Sequence, residues 1–316
     1  DDKAIPQEVK ETVKTLENKG FLAYVVGGSV RDILRGKTPK DWDITTNAKP
    51  EDIEASFPKT FYNNSFGTVT VVHEEAKDPS VKEIQITPFR VESKYSDKRH
   101  PDKITFSDNV EDDLKRRDFT MNAIALDISK GHFIDLYKGQ EDIKEGVIKA
   151  VGDAKERLSE DALRIMRAVR LAGELGFTIN IDLVGAIKEL APSLNDIAME
   201  RIQDEFSKIV MSDNPKEAFE LMHKLGILEV IVPELLEGVG IGQNQAHSYE
   251  VFEHNLRCLQ HAANRKFPFH VRLAALFHDV AKPATRKWGE KNKDWTFYGH
   301  DVVGGRMTKK ILTRMK

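Results

Sequence analysis

The sequence predicts an α+β fold: a small sheet with helices over residues 1–150, then an all-helical chain. Three observations predict it. Runs of β-branched and aromatic residues alternate with helix-periodic runs in the first half. From about Glu156 the strand signals vanish and helical spacing continues. The length, 316 residues, suits two or three domains better than one core.

The elements follow in chain order. QEVKETVKTLENK (7–19) carries apolar residues at helical spacing, and Gly20 ends the run. FLAYVVGG (21–28) reads as a buried strand running into glycines, and SVRDILRG (29–36) as a short helix closed by Gly36. KDWDITT (40–46), FGTVTVVH (66–73) and KEIQITPF (82–89) read as further strands. Between Arg90 and Phe106 the chain is polar and charged with no apolar period, the composition of a mobile loop. RRDFTMNAIALDI (116–128) begins with helical character and ends with that of a strand.

SEDALRIMRAVRLAGEL (159–175), DLVGAIKELA (182–191), MERIQDEFSKIVM (199–211) and PKEAFELMHKLGILEVI (215–231) are all helix-periodic. The expected domains are a head (1–150), a helical neck (151–212) and a helical body (213–316). RMTKKILTRMK (306–316) is a basic helical run without a glycine or proline stop. It leads us to expect a tail domain absent from this sequence.

Composition narrows the function classes. A formal net charge of -3 means that any nucleic-acid surface must be a local patch. The single cysteine, Cys258, rules out an internal disulfide framework and fits a reducing compartment. No apolar run approaches the ~20 residues of a membrane helix, and DDKAIPQEVK lacks a signal-peptide core. These features lead us to expect a cytoplasmic protein with no membrane partner.

The stretch GGSVRDILRGKTPKDWDIT (27–45) carries the chemistry. A strand ending in Gly-Gly-Ser and entering a helix brings backbone N–H groups, and the positive end of the helix, close to an anion. A phosphate chain fits that role. Asp41 and Asp43 are two apart on a strand, so both side chains leave one face. Two carboxylates on one face repel unless a cation sits between them, and oxygen-only ligands beside phosphates suit Mg²⁺. Two metals held this way can activate a hydroxyl and stabilise a leaving phosphate. Alone, Gly-Gly-Ser is a turn and Asp-x-Asp a solvated strand edge. In this order, on strand–helix–strand, they suggest nucleotidyl transfer.

These residues resemble the first motif of the class II tRNA nucleotidyltransferase and bacterial poly(A) polymerase family, within the DNA polymerase β superfamily. RRDFTMNAIA (116–125) is similar to its second motif, DLYKGQEDI (135–143) to its third, EDALR (160–164) to its Glu-Asp-x-x-Arg motif and ERIQDEF (200–206) to its last. All five stand in family order. The resemblance implies a polymerase-β-like nucleotidyltransferase head followed by a helical neck and body. It implies that Gly27, Gly28, Ser29 and Arg31 hold the triphosphate, with Asp32 supporting the turn. Asp41 and Asp43 would be the catalytic metal ligands, and Arg117, Asp118 and Asn122 would contact the ribose. Glu83 and Gln85 share a face on a nearby strand, where many polymerase-type sites carry a third carboxylate. Gln85 departs from the acid the family resemblance leads us to expect there.

SEDALR also has a chemical reading. On a helix, Asp161 and Arg164 share a face. Arg offers only donors and ionised Asp only acceptors. Cytosine and adenine both present a ring-nitrogen acceptor beside an amine donor, and uracil and guanine invert that pattern. A buried mismatch costs on the order of 1–3 kcal/mol per unpaired group. The pair would therefore accept CTP and ATP and reject UTP and GTP, the protein-templated role that the resemblance also implies. Glu160 and Arg201 would hold that helix, with Arg167, Arg170, Glu200 and Glu205 as neighbours in the network. The plain alternative is an exposed ion pair, worth little.

In the helical remainder, HNL (254–256), LFHDVAKP (276–283) and FYGHD (297–301) resemble the HD phosphohydrolase arrangement. His254, His278, Asp279 and His300 could form a metal site. The active pattern needs a further aspartate, and Asp301 is poorly suited. Lys282, Arg286, Lys287, Lys309, Lys310 and Arg314 are expected to track an RNA backbone through phosphate.

The leading expectation is addition of CCA to the 3′ end of tRNA from CTP and ATP. CC-adding, A-adding and poly(A)-adding enzymes share the chemistry. The loop between Arg90 and Phe106 is long, whereas CC-adding members of the family have a shortened one, which favours addition through the final A. Two readings of other classes stand beside it. One is an HD-type metal-dependent phosphohydrolase with the head as a nucleotide sensor. The other is a tRNA-binding chaperone with an inactive head, against which the intact Asp41–Asp43 pair argues.

Overall fold

A computed structural model describes residues 2–63, 66–91 and 104–316. Most of the expected long loop, residues 92–103, lies outside the described residues. The chain forms two compact units, Asp1–Glu160 and Asp161–Lys316. No helix among the described residues is long and apolar enough to cross a membrane.

The first unit runs α1 (Gln7–Asn18), β1 (Ala23–Val26), α2 (Gly28–Leu34), β2 (Trp42–Thr46), α3 (Pro50–Ser56), β3 (Thr60–Asn63), β4 (Thr68–Val72) and β5 (Glu83–Pro88). It continues through β6 (Arg90–Val91), β7 (Thr105–Phe106), α4 (Val110–Lys115), β8 (Ala125–Asp127), β9 (His132–Ile134), α5 (Gly139–Glu145), β10 (Val147–Ile148) and α6 (Ala154–Glu160). Seven strands form one sheet in the order β3-β4-β5-β2-β1-β8-β9. Among the described residues of this sheet, only the central β2–β5 pair is parallel.

Strand periodicity gives this sheet two unlike faces. On one, Val25, Ile44, Ile86 and Val69 lie side by side in register, each at most 1% exposed. Each such side chain contributes about 1.5–3 kcal/mol when buried. On the other, Val26 is level with Asp43 and Ala125, and Asp43 with Gln85. Helix α4 covers part of that second face: Val110 and Leu114 cluster with Val26, Phe89 and Ala125. The hydrophobic contact of α4 thus sets the chain that follows it beside Asp43.

Two expectations change here. The stretch 116–128 does not begin as a helix. Helix α4 ends at Lys115, and a short 3₁₀ turn, Thr120–Asn122, leads into β8. Phe119 takes an extended conformation, bridges to Ala150 and is 1% exposed, so burial of its ring overrides local helical character. The edge strands β3 and β9 were not legible either. Phe61 and Tyr62 on β3 are exposed, without the alternation of a half-buried strand.

The second unit comprises α7 (Leu163–Leu175), β11 (Thr178–Ile179), α8 (Ile181–Leu190), α9 (Met199–Val210), α10 (Pro215–Lys224), α11 (Leu228–Ile231) and α12 (Pro233–Leu236). After these come α13 (Val251–Asn264), α14 (Phe269–Phe277), α15 (Lys282–Thr285), β12 (Lys287–Gly289), β13 (Asp294–Thr296) and α16 (His300–Arg314). Asn180 caps α8 by accepting the Asp182 N–H at 3.0 Å. Phe206 of α9 meets Phe219 of α10 edge to face, with ring centroids 5.6 Å apart. The β12–β13 hairpin departs from the all-helical expectation. Its cross-strand pair, Trp288 and Trp295, stacks edge to face at 5.4 Å, and the charged turn between them hid the strands.

Candidate active site

The turn between β1 and α2 is built by glycine and held by side chains. Gly27 has φ of 78°, a conformation that other residues adopt at a cost. The buried Ser29 hydroxyl donates to the Val26 carbonyl at 3.2 Å and so ties the turn to the strand. The Arg31 guanidinium lies across Gly28, where an added β-carbon would be 3.3 Å from Nη2. Arg31 donates from Nη1 to Asn122 Oδ1 at 2.9 Å, and from Nε and Nη2 to Asp32 Oδ1 at 3.3 and 3.2 Å. Arg35 also donates to that Asp32 oxygen. Arg31 therefore connects the glycine turn to the Asn122 turn.

Asp41 is exposed just ahead of β2, and Asp43 is half-buried within it. Between them, Trp42 is 1% exposed and donates from Nε1 to Ser80 Oγ at 3.2 Å. The buried indole points its two neighbours the other way. Gly27, Asp43 and Arg117 meet closely: a β-carbon at Gly27 would lie 3.7 Å from Arg117 Nη1 and 3.8 Å from Asp43 Oδ2. Burial raises the pKa of Asp43, Arg117 partly counters this, and the like charge of Asp41 adds to it. This is a pair of carboxylates short of positive charge. Its donors are oxygens alone, which fits a hard divalent cation. Gln85 is level with Asp43 on β5, so an amide stands where a third carboxylate could have faced the pair.

Arg117 follows the end of α4, and its main partner is a residue that sequence reasoning missed. Asp113 is fully buried and accepts Arg117 Nη2 on Oδ2 at 3.0 Å, and Arg116 Nε and Nη2 on Oδ1 at 3.1 and 2.9 Å. The two guanidiniums outweigh burial and hold the Asp113 carboxyl down at about 2. The Asp-x-x-Arg-Arg spacing, i to i+3 and i+4, was the available signal. Asp118 is 5% exposed and accepts the Phe119 N–H at 2.7 Å. Asn122 is 6% exposed and bonded to Arg31. The Asp-x-x-x-Gly motif also has a physical role. Asp135 accepts the N–H groups of Gly139 and Gln140 at 2.7 and 2.9 Å, and Gly139 packs against the Thr120 carbonyl.

The expected single helix through SEDALR is interrupted. Helix α6 ends at Glu160 and α7 begins at Leu163. Asp161 sits in the break, where Oδ1 accepts the Leu163 N–H at 3.1 Å, because a short carboxylate competes with helix hydrogen bonding. Its Oδ2 is 3.5 Å from Arg201 Nη2. Arg164 is buried in the first turn of α7, its N–H bonded to the Asp161 carbonyl at 3.1 Å. Arg167 lies three residues further along the same helix. Arg170 pairs with Glu205 and Glu174, and Glu200 is exposed. Glu160 pairs with Arg157 on its own helix at 2.6 Å.

The four HD-type residues come together. His254 Nε2 lies 3.2 Å from His278 Nε2 and 3.4 Å from Asp279 Oδ2. His278 Nε2 is 3.1 Å from Asp279 Oδ2, and His300 Nε2 is 3.5 Å from Asp279 Oδ1. Burial would push His278 down, but its bonds to Asp279 and Cys258 prevail and raise it to about 10. Burial and the His278 charge lower the pKa of His254. Asp301 is exposed.

The basic residues are only partly a surface. Lys282 is 6% exposed and donates to Gln243 Oε1 at 2.6 Å, with Asp279 Oδ2 3.2 Å away. Arg314 is engaged in a forked pair with Glu234, and Arg286 stacks 3.6 Å over the Trp295 ring. Each of these three thus has an internal partner, and Lys282 alone of them is buried. Lys287, Lys309 and Lys310 are exposed.

Residues 23–149 match the poly A polymerase head domain, residues 176–238 the probable RNA and SrmB-binding site of polymerase A, and residues 245–316 the HD domain. The CCA-adding enzyme of Leuconostoc mesenteroides is 46% identical over 221 residues, covering 69% of this chain and 53% of that protein. That of Geobacillus thermodenitrificans is 43% identical over 232 residues, covering 73% and 55%. The chain thus spans about half the length of the curated relatives it matches. The crystal structure of the Bacillus stearothermophilus CCA-adding enzyme in complex with CTP superimposes with a TM-score of 0.67 at 30% identity, over 98% of this chain and 78% of that one. The chain belongs to the poly(A) polymerase and CCA-adding enzyme family of nucleotidyltransferases.

Proposed function

We propose that this chain adds C, C and A to the 3′ end of tRNA, using CTP and ATP and releasing pyrophosphate. The observation that carries the proposal is the meeting of Asp43, Arg117 and the Gly27 turn on one face of the sheet. In this reading Asp41 and Asp43 hold Mg²⁺, which when bound promotes ionisation of the attacking hydroxyl and neutralises phosphate charge. The backbone of Gly27, Gly28 and Ser29 receives the triphosphate, and Arg31 lies across it. Arg117 and Asn122 position the ribose, each held by a partner, Asp113 and Arg31 respectively. The tRNA 3′-oxygen attacks the α-phosphorus, forming a P–O bond as the bond to pyrophosphate breaks.

Asp161 and Arg164 read the base edge in this proposal, with Arg201 steadying the Asp161 carboxylate. The division into head, neck and body belongs to the same reading, with the neck carrying these residues. A tRNA substrate and a lone cysteine support a cytoplasmic setting. The test is release of pyrophosphate from CTP on adding tRNA that lacks its last three nucleotides. Release that needs Mg²⁺ and vanishes in Asp43→Asn supports the proposal. Release that persists in Asp43→Asn refutes it.

A further inference from the structure

The cross-strand register draws one row of residues across the second face of the sheet. Val26 of β1 pairs with Asp43 of β2, Asp43 with Gln85 of β5, Gln85 with Thr70 of β4, and Thr70 with Phe61 of β3. Side chains paired in this way leave the same face. The row therefore runs from a candidate metal ligand to the edge strand. Its outer members are accessible: Gln85 is exposed, Thr70 is half-buried and Phe61 is 57% exposed. Three strand spacings separate Asp43 from Phe61, about 14 Å.

The two sides of Asp43 are unlike. On the β1 side stand the Gly27 turn and Arg117, whose positive charge bears on Asp43. On the β5 side the row offers an amide, a hydroxyl and an aromatic ring. Glu83 shares that face two residues before Gln85, level with Asp41, so negative charge stays at the metal end. In the next row the other way, the Thr68 and Thr87 hydroxyls meet at 3.0 Å and Thr45 donates to the Thr87 carbonyl at 3.1 Å. Those groups are satisfied within the sheet, whereas Gln85 and Phe61 face solvent.

We propose that this row is the track for the acceptor strand of the RNA. Gln85 and Thr70 bond the sugar and phosphate of the 3′-terminal nucleotide, and the Phe61 ring stacks on an unpaired base just before it. The inference rests on the transferase reading of the same site. Displacement at a phosphorus clamped by metals is in line, so the attacking oxygen enters opposite the leaving pyrophosphate. With the triphosphate at the Gly27 turn, the attacking strand reaches Asp43 from the β5 side. An amide and a hydroxyl suit that strand, since both donate to phosphate oxygen and neither repels it. A phenyl ring suits it too, because every base has a face that can stack. The row thus holds an RNA end whose last base changes from one addition to the next. All three are positioning residues, acting on the strand and not on the reacting atoms.

The experiment uses the full chain with Mg²⁺, ATP and tRNA lacking only its final A. KM is measured separately for tRNA and for ATP. Phe61→Ala, its folding checked by circular dichroism, should raise KM for tRNA about tenfold, the size of one lost stack, and leave KM for ATP within about twofold. Phe61→Tyr should restore the parent value, because its ring stacks equally well. Gln85→Ala should raise KM for tRNA about threefold. A second readout needs no turnover. The same tRNA, carrying 4-thiouridine next to its last nucleotide, is photocrosslinked and the labelled peptide identified. The label should fall on β3, at Phe61. An unchanged KM for tRNA in Phe61→Ala, an equal rise in both KM values, or a label outside β3, β4 and β5 would overturn the inference. If the parent still adds A, the transferase reading survives that result. A parent that neither adds A nor crosslinks to tRNA would overturn both.

Discussion

Arg117 donates from Nη2 to Oδ2 of Asp113 at 3.0 Å, and Asp113 is completely buried beneath it. The same carboxylate holds Arg116 with its other oxygen. One buried anion thus orients two cations at the end of α4, and one of those lies beside Asp43 and Gly27. Placement of positive charge at the candidate site depends on a residue that faces no ligand.

Asp113→Asn should therefore weaken both the fold and the reaction. The folded carboxyl, at about 2, binds protons less readily than the unfolded one, at 3.8. Its contribution is complete above about pH 4 and is lost as pH falls through the folded value. At neutral pH the substitution should cost on the order of 2 kcal/mol in urea unfolding, and it should flatten the acid limb between pH 4 and 2. Turnover per bound CTP should also fall about tenfold, equivalent to ~1.4 kcal/mol. Unchanged acid unfolding would contradict the account.

Asp43→Asn should have the opposite effect on stability. Burial raises the pKa of Asp43 above its unfolded value. The unfolded carboxyl therefore ionises more readily, and the charged side chain opposes folding at neutral pH. In metal-free buffer the Asn variant should melt no lower than the parent while losing nucleotide transfer. Thermal unfolding in chelator, compared with activity in Mg²⁺, checks both halves.

Gly139→Ala tests the third motif. A β-carbon there would clash with the Thr120 carbonyl, so the turn carrying Asn122 must move. Overpacking of this kind costs about 1–3 kcal/mol. The exposed neighbour Gln140→Ala should stay within about 0.5 kcal/mol. Equal melting of the two variants would remove Gly139 from the account.

Arg201→Ala should reduce selectivity more than rate. Its guanidinium is 3.5 Å from Asp161 Oδ2, the oxygen that does not accept the Leu163 N–H. Freed of that partner, the carboxylate is less fixed against a base edge. Discrimination of CTP over UTP should fall about tenfold, a loss of ~1.4 kcal/mol. Single-turnover incorporation of the two nucleotides measures it.

Much of the head could be read from residues alone, because strand parity and glycine are local rules. Asp41 and Asp43 flank a buried Trp42, as alternation requires, and Gly27 takes the positive φ that its place at the turn suggested. What escaped was tertiary. Phe119 bridges to Ala150 and is extended where the local spacing looked helical, which no window around residue 119 encodes. Asp161 looked helical by spacing but sits in the break before α7, where its side chain accepts the Leu163 N–H. Lys282 looked like a surface cation and is buried against Asp279 and Gln243. Charge in a sequence does not say whether its partner is water or another side chain.

The most direct measurement is extension of tRNA lacking its last three nucleotides, with Mg²⁺, resolved at single-nucleotide length. The account predicts two additions with CTP alone and a third only when ATP is also present. A halt at two with both nucleotides, a long tail from ATP alone, or a single A placed only on tRNA ending in CC would contradict it.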